Sequence, residues 1–438
     1  MSTKGCITEE PSIQLGQEMH QLMAELYPIC RSITGDGVRD TLHLIGKHIP
    51  IEIHEVPSGT QVFDWAVPKE WNIRDAYIKN SKGERVVDFK QLNLHVVSYS
   101  LPIHTKMTLG ELKPHLHTFP DRPDWIPYRT AYYKESWGFC LSDQQFRELK
   151  DEEYEVCIDS TLADGHLTYG ECYLRGETSQ EILISCHTCH PSLCNDNLSG
   201  IALSTFLAKT LRSMSLRYSY RFLFIPGTIG SITWLALHEA QVSNIKSGMV
   251  LTGVGDPGAI TYKKSRQGNA EIDRAFSHIL KVSGKAHTII DFFPYGYDER
   301  QYCSPGFNLP VGCFMRTPHG EYSEYHTSGD NLTFVRPEFL EKSFTCCLAV
   351  LTLLERNKTF LNQNPKCEPQ LGKRGLYRAI GGQSEGAKKE MAMLWVLNLS
   401  DGDHPLLEIA ERSRMPFDVV YEAAKLLVSN GLLKEVSC

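Results

Sequence analysis

The sequence predicts an α/β chain: a mixed, mostly parallel sheet with helices on both faces, a small inserted β domain, and a C-terminal winged helix. Three observations carry this. Short apolar runs alternate with amphipathic segments from about residue 150 to 360, the pattern of strands and helices in turn. Between about 65 and 130 the texture is instead that of strands and hairpins, broken by Pro, Gly and Asn. From residue 386 onward the order is helix, turn, short helix, turn, long helix, strand, which is that of a winged helix-turn-helix.

The elements follow in order. Leu15, Met19, Leu22, Met23 and Leu26 recur at helical spacing and predict a helix over 13–30. A turn at Thr34-Gly35-Asp36-Gly37 leads to a second helix. Prolines recur too often between Leu101 and Cys140 for a helix to persist there. EILISC (181–186), YRFLFIP (220–226), GMVLTGVG (248–255) and PVGCFMR (310–316) read as buried strands. Between and after them, helices are predicted over 199–214, 231–240, 271–284 and 336–357, the last with Pro337 in its first turn. The domains expected are therefore 1–64 with 131–361 as one discontinuous unit, 65–130 as the insertion, and 386–438 as the winged helix. A Gly-, Gln-, Asn- and Lys-rich linker at 362–385 precedes the last.

Charge and cysteine usage narrow the function. A net charge of -7 leaves no basic face for bulk nucleic-acid binding. No run of about 18 apolar residues occurs, so no membrane span is expected. The N-terminal MSTKGCITEE lacks an apolar export core, which points to a cytoplasmic protein whose 14 cysteines stay reduced. Charges in the winged helix are mixed, with Arg412, Arg414, Lys425 and Lys434 set against Glu408, Glu411, Asp418 and Glu422. Packing or homo-oligomerisation is therefore expected of it ahead of DNA reading.

The richest stretch is ISCHTCHPSLCNDNLSGIAL, residues 184–203. Its Cys186-His187-Thr188-Cys189-His190 matches the haem-attachment pattern C-x-x-C-H. That attachment needs export, and the stretch runs straight into a helix, so haem is set aside. A cysteine zinc knuckle is the less favoured alternative, because no second C-x-x-C or His pair follows at finger spacing. What remains is a histidine at a strand end, His187, and an aspartate at the next helix entrance, Asp196. A second histidine, His326, lies in the polar loop EYHTSGDNLTF. Two imidazoles and a carboxylate with an open position suit a catalytic zinc. A hydrogen-bonded strand-end histidine and an N-capping Asp196 are the bland alternatives.

These two motifs resemble the first and last metal motifs of the zinc aminopeptidase family, which includes bacterial leucyl aminopeptidases and glutaminyl cyclases. YPICRSITGDGVRDTL, PSGTQVFDWAVPKEWNIRDAYI and FIPGTIGSITWL resemble a subgroup with an inserted β domain and a winged-helix tail. The resemblance implies that His187 binds one zinc, that Asp196 bridges two, and that His326 binds the second. The family's Glu-Glu pair, a base and then a ligand, falls on Gly227-Thr228 here. Its aspartate after the next strand falls on Thr252, with Asp256 close by, and its aspartate two residues after the first histidine falls on Cys189. One zinc per chain is therefore expected, held by His187, Asp196 and His326.

The function expected is zinc-dependent hydrolysis of an amide bond in a peptide or in an aminoacyl or acylamino small molecule. The main alternative is a catalytically degenerate zinc scaffold or sensor that uses the winged helix for partners. Acyl transfer or cyclisation is the lesser one. Hydrolysis needs a replacement base. Glu324 is the first candidate and Glu299 the second, ahead of Glu321 and Asp330. Asp298, Arg300, Tyr297 and Tyr322 are expected to bind substrate, with Tyr325 nearby.

Overall fold

The computed structural model describes residues 13–377 and 384–436. The N-terminal MSTKGCITEE and the linker residues 378–383 lie outside the described residues. The chain divides into two compact units, one of residues up to Gly268 with Thr288–Thr345, the other of Asn269–His287 with the residues from Cys346 onward.

The first unit is built on an eight-stranded sheet. Its strand order is Glu52–Pro57, His166–Leu174, Ser219–Ile225, Glu181–His187, Ile245–Leu251, Val311–Met315, Ile260–Lys263 and His287–Ile290. The four central strands are parallel, while the pairings of Glu52–Pro57, His166–Leu174 and Ile260–Lys263 are antiparallel. Burial explains the pattern. Every residue of EILISCH and SYRFLFI is buried, as expected of parallel strands covered on both faces. The edge strand EIHEVP is mostly exposed or half-buried, which only an antiparallel edge tolerates. The central strands point their carboxyl ends the same way, so the loops after His187, Ile225, Leu251 and Met315 gather at one end, where open α/β sheets place their ligands.

The insertion is a separate four-stranded sheet in the order Arg85–Asp88, Glu70–Lys79, Glu153–Ala163, Ile103–Thr108. Its strand Glu153–Ala163 pairs with Glu70–Lys79 and with Ile103–Thr108. The insertion therefore runs past residue 130, where the sequence reading closes it, to Ala163. The reason lies in EYEVCIDSTLA, where Tyr154, Val156 and Ile158 alternate with less buried neighbours to give a strand buried on one face. The proline-rich passage also holds a helical turn, Leu109–Leu112, started by a capping box between Thr108 and Glu111.

The second unit contains the winged helix. Helices Ser384–Leu399, Leu406–Ser413 and Phe417–Ser429 accompany a three-stranded sheet of Asp401–Pro405, Thr359–Asn362 and Leu433–Glu435. The strand Thr359–Asn362 lies between the other two, so the module starts well before residue 386. Helix Glu271–Ser283, read from sequence as part of the catalytic domain, also belongs to this unit. Its Arg274 forms an ion pair with Glu411 at 2.5 Å. Among the described residues no helix is long and apolar enough to cross a membrane.

Candidate metal centre

Strand Glu181–His187 is buried along its whole length, including its last side chain, His187. The chain then loops through Cys194–Leu198 before entering helix Ser199–Leu211. Asp196 lies in that loop with non-helical φ/ψ, and no side chain caps the helix. Asp196 is thus not an N-cap. Its Oδ1 lies 2.7 Å from His187 Nε2 and its Oδ2 3.0 Å from His326 Nε2. The sequence-predicted trio is brought to one point although 130 residues separate Asp196 from His326.

The loop that carries Asp196 is held by its neighbours' side chains. The backbone amides of Asn195 and Asp196 both donate to the Asp330 carboxylate, at 2.5 and 2.9 Å. Asn195 Nδ2 donates to Asp256 Oδ2 at 3.1 Å, and Asn197 Nδ2 donates to the carbonyl of Leu251 at 3.0 Å. Burial, above all, pushes the Asp330 carboxyl up to about 8, against the amides that draw it down. Asp330 and Asp256 therefore serve as clamps. Asp256, which also accepts from Thr317 Oγ1 at 2.6 Å, does not stand in for the family aspartate that falls on Thr252.

A third imidazole joins the centre. His190 Nε2 is 3.8 Å from Asp196 Oδ2, and one ligand atom each of His187, His190 and Asp196 lie within 4.8 Å of one another. Arg31 Nε, itself buried, donates to the His190 carbonyl at 3.0 Å and fixes the turn that brings the ring back. Burial pushes His190 down to about 3, so its ring is neutral, the form that binds metal. For Asp196, burial opposes ionisation, but the hydrogen bonds with the ring nitrogens of His187 and His326 outweigh it and hold the carboxyl well below its usual range. An ionised carboxylate among imidazole nitrogens is a donor set that fits zinc. The sequence reading misses His190 because the family pattern assigns nothing to that position. The only signal was its spacing, three residues after His187.

Tyrosines pack the ligand rings. Tyr297 stacks on His187 with centroids 4.6 Å apart, and Tyr325 stacks on His326 at 3.9 Å. Tyr128 lies 5.1 Å from both His190 and His326. His326 adopts φ +54, a left-handed conformation that a non-glycine residue holds only when its surroundings enforce it. His319, 4.9 Å from Tyr297 and with Nδ1 buried and unpaired, is a second residue missed. Tyr322 packs edge-on to Tyr325.

The loop after strand Ser219–Ile225 differs. A Cβ placed on Gly227 would lie 3.5 Å from both Cys189 Sγ and His187 Cβ, so a side chain there would face the centre, and glycine leaves the position empty. The Gly227 amide reaches Cys189 Sγ at 3.4 Å, and Cys189 Sγ lies 3.3 Å from His190 Nδ1. Burial pushes the Cys189 thiol up to about 12, which keeps it neutral. Thr228 donates its amide to Asp298 Oδ1 at 2.6 Å, and Ser231 Oγ donates to the same oxygen at 3.0 Å. Asp298 thus braces this loop. Arg300 Nη2 reaches Thr228 Oγ1 at 3.4 Å. Glu299, the second base candidate, sits instead in a buried ion pair with Lys263 at 2.6 Å. Lys263 also donates to the carbonyl of Tyr295 at 2.8 Å, so Glu299 serves to hold the loop under Tyr297. Glu324 accepts from the Ser323 hydroxyl at 3.0 Å and, among the described residues, has no ion pair.

Comparison with known proteins agrees with this architecture. Residues 20–357 match the family described as "Domain of unknown function (DUF4910)", and residues 358–435 match a winged helix-turn-helix model. The chain is 58% identical, over 97% of its length and 98% of the relative's, to a Clostridium acetobutylicum protein. That relative is provisionally named a polysaccharide biosynthesis protein with an aminopeptidase-like domain. It is similar to a crystal structure from the same organism, provisionally named a peptidase, at 56% identity and TM-score 0.93 over 97% of each chain. It is similar in fold to BSAP, a zinc aminopeptidase of Bacillus subtilis, with 12% identity and TM-score 0.57 over 78% of this chain and 95% of that one.

Proposed function

The chain belongs to the DUF4910 family and carries the zinc aminopeptidase fold; from that premise we propose that it is a one-zinc hydrolase of amide bonds, acting on a peptide or on an aminoacyl or acylamino small molecule. The observation that carries this is Asp196, whose two carboxylate oxygens sit against the Nε2 atoms of His187 and His326, with neutral His190 beside them. These residues would hold the ion, and zinc when bound supplies Lewis acidity toward an amide carbonyl and toward water. The provisional name of the Clostridium relative directs the substrate toward an acylamino or aminoacyl group on a polysaccharide precursor.

The protein's own groups supply the rest. Tyr297 and Tyr325 fix the rings of His187 and His326 by stacking and keep bulk water from their faces. Arg300, Tyr297 and Tyr322 bind the substrate, and Asp298 positions the Thr228 loop beside it. Glu324 takes the proton of the attacking water, since it is two residues from His326 and is not held in an ion pair as Glu299 is. Zinc content and turnover on a library of aminoacyl and acylamino amides test the proposal. Glu324→Gln is expected to keep its zinc and lose turnover by about 10²–10⁴-fold, the usual cost of removing a general base. A wild-type chain that binds zinc yet is inert across the library would favour a zinc scaffold instead, a reading that the empty side chain of Gly227 supports.

A further inference from the structure

A cavity of about 560 Å³ opens beside the strand-end loops, with Trp65, Tyr133, Thr228, Phe292, Arg266 and Arg300 in its walls. Its size is that of a small-molecule site. It adjoins the metal centre through Thr228, whose neighbour Gly227 faces His187 and Cys189. The chemistry of its walls is unusual for a surface pocket. Among the described residues, Arg300 Nε is buried with no hydrogen-bond partner, and the same guanidinium reaches only Thr228 Oγ1, at 3.4 Å. Arg266 is exposed and bonds Asn308 Oδ1 at 2.8 Å. Neither guanidinium has a carboxylate partner among the described residues.

A buried N–H without an acceptor is destabilising unless a ligand completes it. A planar guanidinium is completed best by a carboxylate or phosphate, which accepts two parallel hydrogen bonds. In the same cavity wall, Trp65 and Tyr133 meet edge to face at 5.6 Å and leave 39% and 64% of their surface exposed. Exposed aromatic rings in a cavity wall give a flat contact for the body of a ligand.

We infer that this cavity takes an oxyanion of the substrate, a carboxylate or a phosphate, on Arg300 and Arg266, with the rest of the same group against Trp65 and Tyr133. The inference rests on the amide-hydrolase reading for where the scissile bond lies, and it gives that reading a substrate class: amides whose acyl or glycosyl part bears a negative charge.

Calorimetric titration of the full chain with N-acetylglutamate, N-acetylglutamine and inorganic phosphate tests it. The first two probes differ only in their side-chain charge, so any contact of the shared α-carboxylate with zinc cancels. N-acetylglutamate or phosphate is expected to bind at least about tenfold tighter than N-acetylglutamine, and Arg300→Gln should erase that margin by removing a charge-assisted hydrogen bond. Arg266→Gln, at an exposed position that cannot unfold the chain, should reduce it. Preference for N-acetylglutamate identifies a carboxylate, and preference for phosphate a phosphate. Equal affinity for all three probes, or a margin that survives both substitutions, overturns the inference. Binding is read without turnover, so a chain inert on every amide would sink the hydrolase proposal and leave this result standing.

Discussion

The loops after strands Glu181–His187 and Ser219–Ile225 leave the sheet side by side, with His187 paired in register with Ile225. The first keeps its chemistry. The second has Gly227-Thr228 where the resembling enzymes have two carboxylates. The difference teaches how firmly each function is tied to the fold. Asp196 is held through the amides of its own loop by Asp330, and that loop is pinned again by Asp256 and the Leu251 carbonyl. Its removal would disturb packing as well as binding. A side chain at Gly227 would project into ordinary van der Waals space and support nothing, so it can be lost without cost to stability. The candidate ligands are built into the fold here, while the position of Gly227 is an appendage.

The sharpest way to break this comparison is through the ligands. His187→Ala and His326→Ala are each expected to abolish zinc binding, read as metal content after dialysis. His190→Ala should keep one zinc but weaken it by about 10–100-fold, the range for a supporting residue. Cys189→Ser should leave binding intact, because the clustered ligand atoms are those of His187, His190 and Asp196 and Cys189 is not among them. Zinc lost in Cys189→Ser but kept in His326→Ala would mean a cysteine site and would undo the contrast between the loops.

A smaller effect comes from refilling the second loop. Gly227→Glu should fold as the parent does, since its Cβ meets only contacts of 3.5 Å or more. In the Glu324→Gln background it should restore turnover by about tenfold or more, because a carboxylate again stands within reach of the centre. A melting temperature several degrees lower would show that the position is not open.

The smallest effect concerns what braces the empty loop. Burial, above all, holds Asp298 above the usual carboxylate range. The folded chain therefore binds this proton more tightly than the unfolded one. The resulting stability is fully present below the unfolded value of about 3.9 and is lost as pH rises through the folded value. Asp298→Asn keeps an oxygen for the Thr228 amide and the Ser231 hydroxyl but has no such slope. Thermal denaturation should show the variant losing less stability than wild type as pH rises from about 4 toward neutrality. Parallel profiles would mean that Asp298 does not carry its burial into stability.

His187, Asp196 and His326 were legible because each sits at a place that chain pattern marks: a strand end, a helix entrance, and a polar loop between a strand and a helix. The continuous apolar runs of EILISC and YRFLFIP marked the parallel core for the same reason, since burial on both faces leaves no alternation. The insertion's last strand, Glu153–Ala163, was also written in alternation, yet its partner Glu70–Lys79 lies about 80 residues earlier in sequence, and only the pairings with it and with Ile103–Thr108 assign the strand to that sheet. Asp298 and Glu299 show the limit most clearly. They are adjacent, alike in charge, and indistinguishable by pattern. One faces Thr228 and Ser231 and the other Lys263, because the backbone at Glu299 begins a short helix that turns the two side chains to different neighbours.

Sequence by itself determined the α/β class and marked His187, Asp196 and His326 as candidate ligands, since these depend on residue type and on local periodicity; the empty base position at Gly227 came from the resemblance. Only the tertiary structure decided that His190 stands beside Asp196, that Glu299 pairs with Lys263, and that two arginines with no ion-pair partner among the described residues share a cavity with Trp65 and Tyr133. Each of those depends on contacts between segments far apart in the chain, such as Arg31 with His190 across 159 positions, and the free energy of such a contact leaves no local trace in the order of residues.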